Sequence, residues 1–182
     1  MLLEERVARA TTEAEAVELA RELYGLAVTA KALPGEYDDN FHLTPPDRSG
    51  AQPRLAVPLS NPLQTRNEAA GEEFVLKVMH PARERSFIDM QWRALQHLAE
   101  RAPQLTLPRV ILNRRGEAVA AVDADGTARL VWLLTYVPGT MLVKARPHSA
   151  ELLQSMGQFL GALDAAFADF AHPEVRRELK WD

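Results

Sequence analysis

The 182-residue chain has no cysteine, which excludes disulfides, thiolate nucleophiles and cysteine-bound zinc and makes a reducing cytoplasm the expected setting. It has no apolar run near the length of a membrane span, and its first residues, Met1-Leu-Leu-Glu-Glu-Arg6, place acids where a signal peptide needs an apolar core. An excess of one charge is missing too. The 21 basic and 25 acidic residues are interspersed, for a formal charge of -4, so neither nucleic acid nor a membrane surface is an expected partner. No internal repeat is evident. What is abundant is apolar surface: 47% hydrophobic residues suffice for a sizeable core in one large domain, or one and a fragment.

Thr12-Glu-Ala-Glu15 has capping-box spacing and opens a helix with Ala16, Val17, Ala20, Leu23 and Tyr24 on its apolar side, stopped by Gly25. Leu26 to Leu33 and Phe41 to Thr44 read as strands around the loop Pro34-Gly35-Glu36-Tyr37-Asp38-Asp39-Asn40. That loop reads first as an ordinary hairpin turn; the second reading is a phosphate lid in which backbone N–H groups approach anionic oxygens near Gly35. Residues 45–71, with five prolines, read as a surface insertion in which only 55–59 has strand character.

A short run from Glu73 to Met79 then places Lys77 inside a strand. A strand lysine is explained by a packed stem with its ammonium in water, or by a point charge held on a sheet for a phosphate. Ser86-Phe-Ile-Asp89 repeats the capping-box spacing ahead of a helix striped by Ile88, Trp92, Leu95 and Leu98. Strand character returns at Leu107–Leu112, Glu117–Val122 and Leu130–Val137, with turns at Asn113–Gly116 and Asp123–Gly126 and a break at Pro138-Gly139. A last helix begins near Ser149, with Leu152, Met156, Phe159, Leu160, Leu163, Phe167 and Phe170 on one face.

The segments Leu33-Pro-Gly-Glu-Tyr-Asp-Asp-Asn-Phe-His42, Phe74-Val-Leu-Lys-Val78, Ile88-Asp-Met-Gln91, Leu133-Leu-Thr-Tyr-Val-Pro-Gly139, His172-Pro and Trp181-Asp182, in this order, resemble the N-terminal lobe and hinge of the aminoglycoside phosphotransferase and choline kinase superfamily, a protein-kinase-like fold. Within it the likeness is to the hydroxylysine kinases. The resemblance implies an α+β fold: an antiparallel sheet with a packed helix over residues 1–139, then the hinge exit and a first helix of a C-terminal lobe over 140–182. It implies that Gly35, Glu36, Tyr37, Asp38, Asp39 and Asn40 cover the phosphates of ATP, that Lys77 meets the α- and β-phosphates, and that the backbone of Thr135, Tyr136 and Val137 reads the adenine edge. The superfamily usually holds its lysine with a glutamate from the following helix. Gln91 stands there in this chain, leaving Asp89 as the expected capping acid.

Phosphoryl transfer in such enzymes needs His-x-Asp-x-x-x-x-Asn and a further aspartate for magnesium, and none of His42, His80, His97, His148 and His172 begins that pattern. Asp169-Phe170-Ala171 imitates a magnesium-binding Asp-Phe-Gly, but Phe170 belongs to the helix stripe. The expectation is a fragment inactive alone, with Mg2+ ligands in an absent C-terminal lobe and a small amine or amino-acid acceptor such as hydroxylysine. Its last helix is expected to pack on that lobe or in a homodimer of the fragment. The alternative is a non-catalytic nucleotide- or amine-binding regulatory module. The resemblance also implies fusion, in longer chains, to a pyridoxal-phosphate-dependent class III aminotransferase.

Overall fold

The first helix, α1 (Glu13–Leu19), starts as its sequence dictates: the Thr12 hydroxyl accepts the Glu15 N–H at 3.2 Å, and the Glu15 carboxylate accepts the Thr12 N–H at 2.7 Å. Side-chain bonding to Arg9, then the Thr12 backbone and hydroxyl, hold the Glu15 carboxyl down at about 2. A computed structural model of the chain describes residues 9–46, 73–124 and 126–176. Apart from Pro45 and Pro46, the expected insertion and its strand at 55–59 lie outside the described residues, as do Trp181 and Asp182.

α1 runs into a π turn, Ala20–Tyr24, that ends at Gly25 with φ +73°. The left-handed φ is what calls for glycine there; a Cβ would also meet the Arg114 guanidinium at 2.5 Å, a side-chain end that can swing aside. The Leu26 N–H still bonds back to the Ala20 carbonyl at 3.2 Å, which delays the strand expected from Leu26 until β1 (Thr29–Leu33). Ala16, Ala20 and Tyr24 are buried against the sheet, but the Tyr24 hydroxyl has no hydrogen-bond partner among the described residues. Burial accordingly pushes its pKa up. Tyr24→Phe removes a polar group with nothing to bond, so it should raise the unfolding free energy by about 1 kcal/mol, read as a higher urea midpoint.

Among the described residues six strands form one antiparallel sheet: β1, β2 (Asp39–Thr44), β3 (Phe74–Val78), β4 (Val110–Ile111), β5 (Ala120–Ala124) and β6 (Thr127–Thr135). Their order is β1-β2-β3-β6-β4, with β5 also on β6. Period-two alternation gives the sheet two faces. Phe41, Leu43, Leu76, Val78, Val131 and Leu133 pack under α1. Trp132 and Leu134, with Val75 beside them, pack with Ile88, Phe87, Trp92 and Leu95 of α2 (Arg85–Arg101).

Four expectations change here. The second capping box does not form: α2 begins after Glu84, with no side-chain cap, and Asp89 instead accepts from Trp92 Nε1 at 2.8 Å, Arg93 Nε at 2.8 Å and His172 Nε2 at 3.2 Å. The strand expected at 107–112 shrinks to β4 and the one at 117–122 shifts to β5. Between them the Asn113 carboxamide oxygen takes the N–H groups of Arg115 and Glu117, a local competitor that closes a turn. Finally, the loop after Pro34 is shorter than expected, because Asp39 and Asn40 already belong to β2.

The last helix, α3 (Ala150–Phe167), starts on Ser149, whose hydroxyl accepts the Leu152 N–H at 3.2 Å. Only its C-terminal part is covered: Ala166, Leu163 and Phe167 pack on Leu98 and Ala102, whereas Met156, Phe159 and Leu160 of the expected stripe are exposed. Asp169 pairs with Arg101 and lies 3.2 Å from His97, so the Asp-Phe-Ala sequence serves helix packing. No described helix is long and apolar enough to cross a membrane.

Candidate functional site

Lys77 lies on the α2 face of the sheet, with Asn40 and Trp132 as its cross-strand neighbours. Its ammonium donates to Asn40 Oδ1 at 2.6 Å. Asn40 in turn donates from Nδ2 to the Asp38 carbonyl at 3.2 Å. A lysine has only donors, so the carboxamide must present its oxygen to Lys77 and its nitrogen to Asp38. The partner is neutral. Burial lowers the Lys77 pKa below its ordinary value, the nearby Asp38 charge opposes that shift, and Arg83 adds to it.

The turn before β2 is tight. A Cβ at Gly35 would fall 2.3 Å from the Asp38 carbonyl and 2.6 Å from Asn40 Nδ2, so glycine is demanded by close approach. Glu36 is exposed and Tyr37 half-buried on this turn. The Asp38 carboxylate reaches the segment after β3, accepting the His80 N–H at 2.8 Å, Arg83 Nε at 3.2 Å and Arg83 Nη2 at 3.0 Å.

Asp39 stands apart from the other expected lid residues. It alternates with Asn40 on β2, so it faces the α1 side, where its carboxylate accepts the Thr11 N–H at 2.9 Å and Arg129 Nη1 at 3.0 Å. Both partners of this ion pair are buried. Arg129 further donates to the carbonyls of Met79 at 2.8 Å and Val78 at 3.1 Å and to the Thr11 hydroxyl at 2.9 Å. Gln91 is half-buried on α2 and makes no hydrogen bond to Lys77 among the described residues. The orienting amide is Asn40, because cross-strand register brings it directly opposite the lysine.

At the expected hinge, β6 ends at Thr135. The Thr135 N–H is taken by the Arg109 carbonyl at 2.9 Å, the Thr135 hydroxyl accepts the Arg109 N–H at 2.9 Å, and the Tyr136 N–H is taken by the Glu73 carbonyl at 3.0 Å. Of the three expected backbone donors, only that of Val137 has no partner among the described residues. The Tyr136 ring stacks on His42 with centroids 4.1 Å apart, and His42 Nε2 lies 2.8 Å from a Glu73 carboxylate oxygen. His42 is two residues from Asn40 on the same face of β2, so the alternation that marks Asn40 also marks His42 as facing this side.

The assembled face thus offers an ammonium bonded to a neutral amide, the Val137 N–H, unpartnered among the described residues, just past β6, and an aromatic pair beside it. Among the described residues no group of three or more acids or histidines could hold a metal ion, so the residues present do not fit magnesium by themselves.

A family model described as "Phosphotransferase enzyme family" matches residues 52–182. Hydroxylysine kinase of Danio rerio is 28% identical over 174 residues, a stretch that covers 91% of this chain and 41% of that protein. The chain therefore spans about two-fifths of that relative's length. Among solved structures, amicoumacin kinase hAmiN in complex with AMP-PNP, Ca2+ and Ami superposes with TM-score 0.65 at 16% identity, over 94% of this chain and 45% of the kinase. A microcompartment-associated aminopropanol kinase does so with TM-score 0.61 at 15% identity, over 93% and 45%. At these identities the two structures establish the fold, and the sequence match establishes the kinship. The chain belongs to the phosphotransferase enzyme family, whose kinase-like N-terminal lobe its described residues build.

Proposed function

We propose that this lobe binds ATP for the phosphorylation of a hydroxyl on a small amine or amino acid, hydroxylysine being the first acceptor to test. The observation that carries the reading is Lys77: a half-buried ammonium whose bonded partner is the neutral amide of Asn40 at 2.6 Å. A half-buried cation whose hydrogen-bond partner among the described residues is an amide is under-compensated, and a phosphate supplies the missing charge. Gly35 to Asp38 form the turn above the phosphates, with Asn40 as the lysine's holder. The adenine edge meets the Val137 N–H, beside the stacked His42 and Tyr136. Asp39 serves the fold through Arg129 rather than the nucleotide.

Chemistry needs more than this lobe. The sequence has no His-x-Asp-x-x-x-x-Asn and the described residues no metal cluster, so the base and the Mg2+ ligands are assigned to a second lobe, and turnover requires it. Amicoumacin kinase, solved with AMP-PNP and Ca2+, is the precedent for nucleotide and a divalent ion on this fold.

The neutral partner of Lys77 also favours a second reading, a regulatory lobe that binds nucleotide without transferring phosphate. Two measurements separate them: calorimetric titration of the chain with AMP-PNP, and ATP turnover by the full-length protein with hydroxylysine and amino alcohols. Binding with acceptor-dependent turnover is the expected result. Binding without turnover on any acceptor selects the regulatory reading, and absence of binding overturns both.

A further inference from the structure

Arg83 lies outside every segment so far given a role, yet it is the cation placed to decide which charge Lys77 sees. Asp38 and Arg83 are 45 residues apart and joined by both carboxylate oxygens, Nε to Oδ1 at 3.2 Å and Nη2 to Oδ2 at 3.0 Å. Both side chains are largely withdrawn from water, Asp38 at 14% exposure and Arg83 at 24%. The guanidinium carbon also lies over the Phe87 ring, 5.8 Å from its centroid. One residue pair away, Asn40 holds Lys77 with one end of its amide and the Asp38 backbone with the other.

A carboxylate this close to a phosphate-binding lysine is a competitor. Were Asp38 to pair with Lys77, the site would lose its cation and present an uncompensated anion to the phosphates. We infer that Arg83 is a positioning residue for nucleotide: by engaging both oxygens of Asp38 it keeps that carboxylate off Lys77 and leaves the ammonium available to phosphate. The forked, planar guanidinium suits this task because it occupies two oxygens at once, which a lysine in its place would not. The His80 N–H, on the same Asp38 oxygen at 2.8 Å, helps hold the carboxylate turned towards the β3–α2 connection.

The inference rests on the nucleotide reading above, and its test separates the two. AMP-PNP affinity is measured calorimetrically for the wild type, Arg83→Ala, Asp38→Asn and the double variant, and the Lys77 titration is followed by NMR at its ε-methylene without nucleotide. Arg83→Ala should weaken binding about tenfold, while the double variant should bind within about threefold of Asp38→Asn, since with the carboxylate neutralised Arg83 has nothing to restrain. The Lys77 titration should move upward in Arg83→Ala and not in the double variant. A merely structural role for Arg83 predicts a loss that Asp38→Asn does not repair, and that outcome overturns the inference, as does unchanged affinity in Arg83→Ala. If the wild type binds no nucleotide, an upward Lys77 titration in Arg83→Ala sustains the charge partition while the nucleotide reading falls. An unmoved titration overturns the partition itself.

Discussion

Arg129→Met should cost about 3 to 5 kcal/mol of unfolding free energy, the largest single effect expected in this lobe. The substitution keeps the length of an apolar stem but removes every donor from a site that is 4% exposed. The buried Asp39 carboxylate then loses the guanidinium that meets it at 3.0 Å, and the carbonyls of Val78 and Met79 lose the donors that reach them at 3.1 and 2.8 Å. Urea unfolding reads the effect as a large fall in midpoint at unchanged slope. Replacing both partners, Arg129→Met with Asp39→Leu, should recover much of the loss, because an apolar pair needs no compensation. A single variant as stable as the wild type would mean that water reaches this pair.

Lys77→Met should separate stability from binding. Nucleotide affinity should fall about thirtyfold to a hundredfold, the scale of a charge-assisted contact, whereas the ligand-free lobe should gain about 1 kcal/mol because an under-compensated cation has left the interior. A stability loss with binding unchanged would return Lys77 to the role of an ordinary strand lysine. The pH dependence has the same origin. Burial sets the folded pKa of Lys77 below its unfolded value, so between the two the unfolded chain holds more protons, and stability rises with pH through that window. Bound phosphate favours the ammonium. Affinity should therefore decline as pH climbs through the folded pKa, binding there should take up a proton, and both trends should vanish in Lys77→Met. Calorimetric titrations in buffers of differing ionisation enthalpy measure the uptake directly.

Local chemistry made some of this lobe legible in advance. The Thr12 cap, the stop at Gly25, the helix start near Ser149 and the strand around Lys77 each depend on residues adjacent in sequence, and each forms. The second capping box fails because spacing is necessary for a cap but not sufficient: Asp89 has an indole, a guanidinium and an imidazole to bond instead. The resemblance puts Asp39 on the lid as part of the segment Gly35 to Asn40. The alternation of Asp39, Phe41 and Leu43 carried the better signal, since an aspartate in register with two buried apolar residues must find a cation. Which cation could not be read, because Arg129 is 90 residues away and meets it only through strand order. The same limit hid Asn40 as the holder of Lys77: Gln91 has the expected place along the chain, and Asn40 has the place across the sheet.

The outer side of the sheet has a consequence of its own. β1 has no strand beyond it among the described residues, and such an open ribbon is a template on which foreign strands add and aggregates grow. Here the outward N–H of Ala32 is already taken by a Glu13 oxygen of α1 at 2.9 Å, and exposed Lys31 stands beside it. An extended segment arriving at this rim meets a carboxylate where it would need the Ala32 amide, with an ammonium beside it, so the helix that covers the core also guards this point of the open edge.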